Sequence, residues 1–140
     1  GNSGVYYYAW VRDHKARGYE YQIIDDINRK AHPTMERYAT AGLYTMYHRY
    51  YDAGPINLQG YNKGKIIKLG DRIEHWLNDK LAVSVQMGTE NWKKHLSVSR
   101  LNEDPNFGKM TTGLIAFQNH DHEVWFRNIK ITPFKKIEKK

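Results

Sequence analysis

The chain has 140 residues, no cysteine and a formal charge of +7 at neutral pH. That length suits a single domain with a real core. The lack of cysteine removes disulfide frameworks and thiol chemistry, and no apolar run approaches the ~18 residues that span a bilayer. The charge does not make a nucleic-acid surface, because the closing KKIEKK supplies four of the lysines and the other basic residues are dispersed. Neither nucleic acid nor a membrane span is therefore expected, and residues 135–140 read as a basic tail on a domain over 1–134.

Aromatic residues make up 14% of the chain, with eleven tyrosines, a composition that leans towards strands. The opening GNSGVYYYAWV has neither an initiator methionine nor the pattern of a signal peptide, and it reads as an entry partway into a longer fold. Its residues 5–11 form a β-branched and aromatic run that predicts a strand. A second strand is expected over 19–24, reached across the polar turn RDHKARG. DDINRKAHPTMERYAT reads as a long loop containing a helical turn, and 41–47 as a third strand. After a loop marked by glycine and proline, 65–69 and 72–77 flank Gly70-Asp71, a short-hairpin signal. Asn78-Asp79 makes the next turn and 81–86 answers as another strand. The one helical candidate is 90–101, with Trp92, Leu96 and Val98 facing the core. Strands over 114–118 and 123–132 are expected to close the chain as a pair around the polar corner QNHDH. Many short strands with turn punctuation predict an all-β fold, an antiparallel β-sandwich or barrel.

Alternation sorts the strand residues by face. Glu20 and Gln22 point one way, and Tyr19, Tyr21 and Ile23 the other. His75 shares a face with Ile73 and Leu77, the usual company of a core histidine, whereas Glu74 goes with Arg72 and Trp76. Gln118 lies on the face of Leu114 and Ala116. Trp125 and Arg127 share one with Ile129 and Ile131. His120 and His122, two apart, have the spacing of a metal pair or of two rings bonded to turn carbonyls. No nucleophile elbow, Walker loop, zinc-protease helix or dinucleotide fingerprint is present. The adjacent Asp25 and Asp26 make a poor pair for retaining glycoside hydrolysis.

These residues carry a family resemblance. GDRIEHWLND over 70–79 and TGLIAFQNHDHEVWFRNIKI over 112–131 resemble the closing half of the 3-keto-disaccharide hydrolase domain. That family ends in a pattern like G-x-I-x-L-Q-x-H-G-x-x-V-x-F-R-N-I-x-I, preceded by G-N-x-I-E-H-W-L-N-G. Earlier, GNSGVYY resembles its N-S-G-[IV]-[FY] strand, GYEYQIIDD its G-[FY]-E-x-Q-[IL]-[IL]-D segment, and AGLY the strand that follows. The likeness runs in order along nearly the whole chain. Departures fall at Tyr8, where the family often has arginine, at Thr45, where it has an acidic residue, at Tyr61, where it has tryptophan, and at His122, where it has glycine.

The resemblance implies a concanavalin A-like jelly roll without its earliest strands, whose edges would pair with a missing N-terminal segment or another chain. It implies cleavage of glycosides already oxidised at carbon 3, by removal of the C2 proton, elimination and hydration, with a periplasmic or secreted location. On that basis Glu20 and His75 are the expected proton-transfer groups or metal ligands. Gln22, Gln118 and His120 are expected to bind sugar hydroxyls or the enolate, with Asn2 at the rim and Trp76 as a stacking platform. His32 and Asp25 are weaker candidates. A divalent metal is a further expectation, with no ligand set assigned. The alternative reading is a non-catalytic carbohydrate-binding module on the same fold.

Overall fold

The computed structural model describes residues 1–26 and 38–134. The expected long loop around His32, and the tail over 135–140, lie outside the described residues.

Two three-stranded antiparallel sheets make a β-sandwich. One has the order β2-β1-β6, from β1 (Asn2–Arg12), β2 (Lys15–Ile24) and β6 (Leu114–Phe117). The other runs β3-β4-β5, from β3 (Gly64–Leu69), β4 (Arg72–Leu77) and β5 (Lys80–Gln86). Their facing sides share a core in which Tyr7 and Tyr19 of the first sheet meet Ile73, Val83 and Val85 of the second. Tyr21 meets Leu77 and Ala82 in a second cluster.

The hairpins follow from local chemistry. Asp13 and His14 both take positive φ (51° and 60°), and Arg12 pairs with Lys15. This is the two-residue mirror-image turn that matches strand twist. It is tighter than the seven-residue turn the sequence implied, so residues 15–18 belong to β2. Asn78 and Asp79 repeat the device between β4 and β5, at φ 48° and 65°. A bulge between Tyr7 and Trp10 bends β1, with Tyr8 at φ 48°. Gly18 faces that bulge, and a Cβ there would lie 2.9 Å from the Ala9 Cα.

Three expectations are corrected. Residues 41–47 form no regular strand. Ala41 and Thr45 have positive φ (68° and 60°), and the segment follows the free edge of β2 through separate bonds from Ala41 N to Gln22 O, Gln22 N to Gly42 O and Tyr44 N to Glu20 O. The helix α1 (Glu90–Ser97) is shorter than expected and is capped by Thr89, whose hydroxyl accepts from Trp92 N. Trp92 is buried, but Val98 caps the helix end and is exposed; Ser99 then caps a 3-10 turn, Arg100–Glu103. Residues 123–132 form no strand and do not pair with β6, whose partner is β1. Trp125, Ile129 and Ile131 are exposed, and the Arg127 guanidinium lies 3.8 Å over the Tyr61 ring.

Candidate functional site

The face of the β2-β1-β6 sheet turned away from the core is polar. Opposed residues in an antiparallel ladder share a face. Tyr6 stands opposite Glu20, Gly4 opposite Gln22, and Asn2 opposite Ile24. On the other flank Tyr6 is opposite Ala116, and Gln118 N donates to Gly4 O at 2.8 Å. Register alone thus gathers Asn2, Tyr6, Glu20, Gln22 and Gln118 around Gly4.

Gly4 leaves the space that Glu20 uses. A Cβ there would lie 2.5 Å from Glu20 Oε1. The carboxyl folds over the bare backbone of β1 and is 3% exposed. Burial pushes its pKa up to about 7, against the opposing effect of a hydrogen bond from Tyr6. Burial, the Glu20 charge and the bond to Glu20 push the Tyr6 hydroxyl up from its ordinary value. Tyr6 also accepts from Gln118 Nε2 at 3.2 Å, so an amide, a phenol and a carboxyl form one chain. Gln22 Nε2 donates to Asn2 Oδ1 at 2.9 Å. The Gln22 and Gln118 amide oxygens are buried without a hydrogen-bond partner among the described residues. Buried polar atoms of that kind call for explanation, and a bound ligand supplies one.

The other sequence-derived candidates lie elsewhere. His75 is fully buried in the core between the sheets. Its Nδ1 donates to the Ala41 carbonyl at 3.0 Å, which leaves Nε2 to accept from the Tyr7 hydroxyl at 2.8 Å. Burial lowers its pKa to about 4, so the ring is neutral and both nitrogens are satisfied. Tyr21 packs against it at 4.9 Å between ring centroids, and Tyr21 and Glu20 point to opposite faces of β2. The structure therefore separates His75 from Glu20, and the expected pair is not formed. Trp76 lies on the outer face of β4, where its Nε1 donates to Glu74 at 2.9 Å and Lys65 covers its ring at 4.1 Å. It is not a platform beside Glu20. His120 is exposed, and its carbonyl accepts from His122 Nδ1 at 2.9 Å. The His122 ring thus bonds to the turn backbone, the second of the two readings of this spacing. Asp25 lies at the end of β2, where its backbone N–H donates to Gly1 O at 3.0 Å.

Among the described residues no three His, Asp or Glu side chains converge to hold a metal ion. The groups around Glu20 are one carboxyl, the Gln22 and Gln118 amides and the Tyr6 phenol, so a single acidic side chain stands among them. Among the described residues no helix is long and apolar enough to cross a membrane.

Tyr6 was legible in principle, since it stands two residues from Gly4 on the face of Asn2. Beside it opens a cleft of about 140 Å³, reaching from Tyr6 and Glu20 past Tyr44, Arg17 and Trp10 to the 3-10 turn. No sequence motif marked that cleft, because the bulge and the turn that wall it are far apart in the chain.

The chain is similar to known proteins over most of its length. The chain is 27% identical to a 3-keto-disaccharide hydrolase of Bacteroides thetaiotaomicron over a 161-residue alignment, covering 94% of this chain and 53% of the relative. It superposes with a TM-score of 0.70 and 29% identity on a crystal structure from Parabacteroides distasonis, provisionally assigned as a glycosyl hydrolase, over 84% of this chain and 57% of that one. The chain thus spans little more than half the length of the relatives it matches. A profile of the 3-keto-alpha-glucoside-1,2-lyase-like domain matches residues 1–132, and the chain belongs to that family.

Proposed function

We propose that this domain carries the Glu20 site of an enzyme that cleaves 3-keto-glycosides, with Glu20 as the base that removes the C2 proton. The observation that carries the reading is the Glu20 carboxyl itself, buried on a polar sheet face, held by Tyr6 and brought by burial to a pKa of about 7. A general base works best with its pKa near the operating pH. The family and the named hydrolase relative supply the substrate class.

The reaction balances without a carboxylate nucleophile. The 3-ketone acidifies the hydrogen on C2. Glu20 takes that proton, and the C–H electron pair passes into the enolate. The enolate then collapses to a C1=C2 double bond conjugated with the carbonyl, expelling the glycosidic oxygen, which takes a proton from solvent while Glu20 returns its own to solvent. Water adds across C1=C2, hydroxyl to C1 and hydrogen to C2, so the net change is hydrolysis. In this reading the unpartnered amide oxygens of Gln118 and Gln22 accept from ring hydroxyls, and Asn2 orients Gln22 through the bond from Gln22 Nε2. Tyr6 holds the carboxylate and keeps its pKa from rising further. His75 has the role of a core residue in this scheme, and a location outside the cytoplasm rests on the family resemblance alone.

The alternative, a carbohydrate-binding module, has no use for a buried carboxyl that titrates near neutrality. The deciding test is cleavage of a 3-keto-glucoside in D2O. The elimination route places solvent deuterium on C2 of the released sugar at times too short for the free keto sugar to exchange. Release without deuterium at C2 overturns the mechanism, and binding without release favours the module.

A further inference from the structure

The cleft beside Glu20 extends well beyond the atoms that react. We infer that it is the subsite for the departing sugar of a 3-keto-disaccharide, an inference that rests on the 3-keto-glycoside reading of Glu20. Position is the first argument. Glu20 and Tyr6 close one end of the cleft, while Trp10, Arg17, Arg100 and Asp104 lie along the rest. A ring joined through the glycosidic oxygen to the sugar at Glu20 projects along it.

Size is the second. The volume of about 140 Å³ matches one six-membered ring; an engineered protein cavity of ~150 Å³ holds benzene.

Chemistry is the third, and it selects the ligand. Among the described residues, Trp10 Nε1 is a buried donor with no acceptor and Asp104 Oδ2 a buried acceptor with no hydrogen bond, paired only at 3.5 Å with Arg12. Arg17 and Arg100 have no carboxylate partner among the described residues. An anionic substituent would satisfy the guanidiniums and the indole but would be repelled by Asp104. A neutral polyol meets both demands, because each hydroxyl donates one hydrogen bond and accepts others. The cleft therefore suits an uncharged sugar ring over an acidic one.

The test compares two substrates on the same chain: a 3-keto-disaccharide and methyl 3-keto-glucoside, whose leaving group does not reach the cleft. For Arg17→Ala, Arg100→Ala and Asp104→Asn, the ratio of kcat/KM for the disaccharide to that for the methyl glycoside should fall about tenfold, mostly through KM. A ratio within twofold of the wild type for all three overturns the subsite. A parallel fall on both substrates does so too, since that is the signature of a general structural role. Wild type that cleaves neither substrate overturns the 3-keto-glycoside reading instead, and this inference with it.

Discussion

Glu20 is a residue on which the proposed activity and the stability of the fold pull in opposite directions. Its pKa is raised from 4.5 to about 7 in the folded chain, so the folded state binds its proton more tightly than the unfolded state does. The stability linked to that proton is fully present below pH 4.5 and is lost as the pH rises through 7. The loss comes to ~3 kcal/mol for a shift of this size. Glu20→Gln should accordingly match the wild type in stability below pH 4.5 and exceed it by up to ~3 kcal/mol above pH 7, as read from urea unfolding at a series of pH values. A constant difference at all pH values contradicts the assignment. Tyr6→Phe tests the neighbouring link. Without the phenol bond the Glu20 carboxyl should titrate higher, so the acid limb of the pH–rate profile should move to higher pH while kcat falls about tenfold. A fall in rate with an unmoved profile would limit Tyr6 to packing.

The strand elements show why some of the fold was legible and some was not. The hairpins around Gly70-Asp71 and Asn78-Asp79 are written in their own residues, as turn chemistry between alternating strands. The polar face of β2 was equally readable, because Glu20 and Gln22 alternate with Tyr19 and Tyr21. Residues 41–47 misled because their composition suits a strand, whereas the positive φ at Ala41 and Thr45 is set by packing on the edge of β2. Residues 123–132 misled because alternation records a side chain's preference and cannot report whether a neighbouring strand is there to pair with it. His75 is the instructive case. Its alternation with Ile73 and Leu77 pointed to the core, and the motif around it pointed to the site; the structure follows the alternation. At this scale the prediction concerns the tie between sheets. Tyr7→Phe removes the donor to His75 Nε2 and should cost ~1–2 kcal/mol of stability, measured by denaturant unfolding, with kcat/KM changed less than twofold. A collapse of activity in a stably folded Tyr7→Phe chain would return His75 to the mechanism.

The whole molecule sets these two buried groups against each other. His75 is lowered from 6.5 to about 4, so its contribution to stability is present above pH 6.5 and lost as the pH falls through 4, the reverse of Glu20. Their slopes oppose each other between about pH 4.5 and 6.5, where the two contributions largely offset one another. Removing the Glu20 charge should unmask the His75 limb, so that Glu20→Gln gains stability as the pH rises from 4 to 6.5; equal slopes in the variant and the wild type would contradict this account. The sandwich places the neutral histidine between the sheets and the buried Glu20 carboxyl on the polar outer face. Whether this carboxyl is the base is decided by the pH dependence of 3-keto-glycoside cleavage by wild type and Glu20→Gln. With Glu20 as the base, wild-type kcat/KM should rise tenfold per pH unit and level off above about pH 7, with Glu20→Gln at least a hundredfold slower and without that limb. A Glu20→Gln chain that keeps both the rate and the limb would contradict that role.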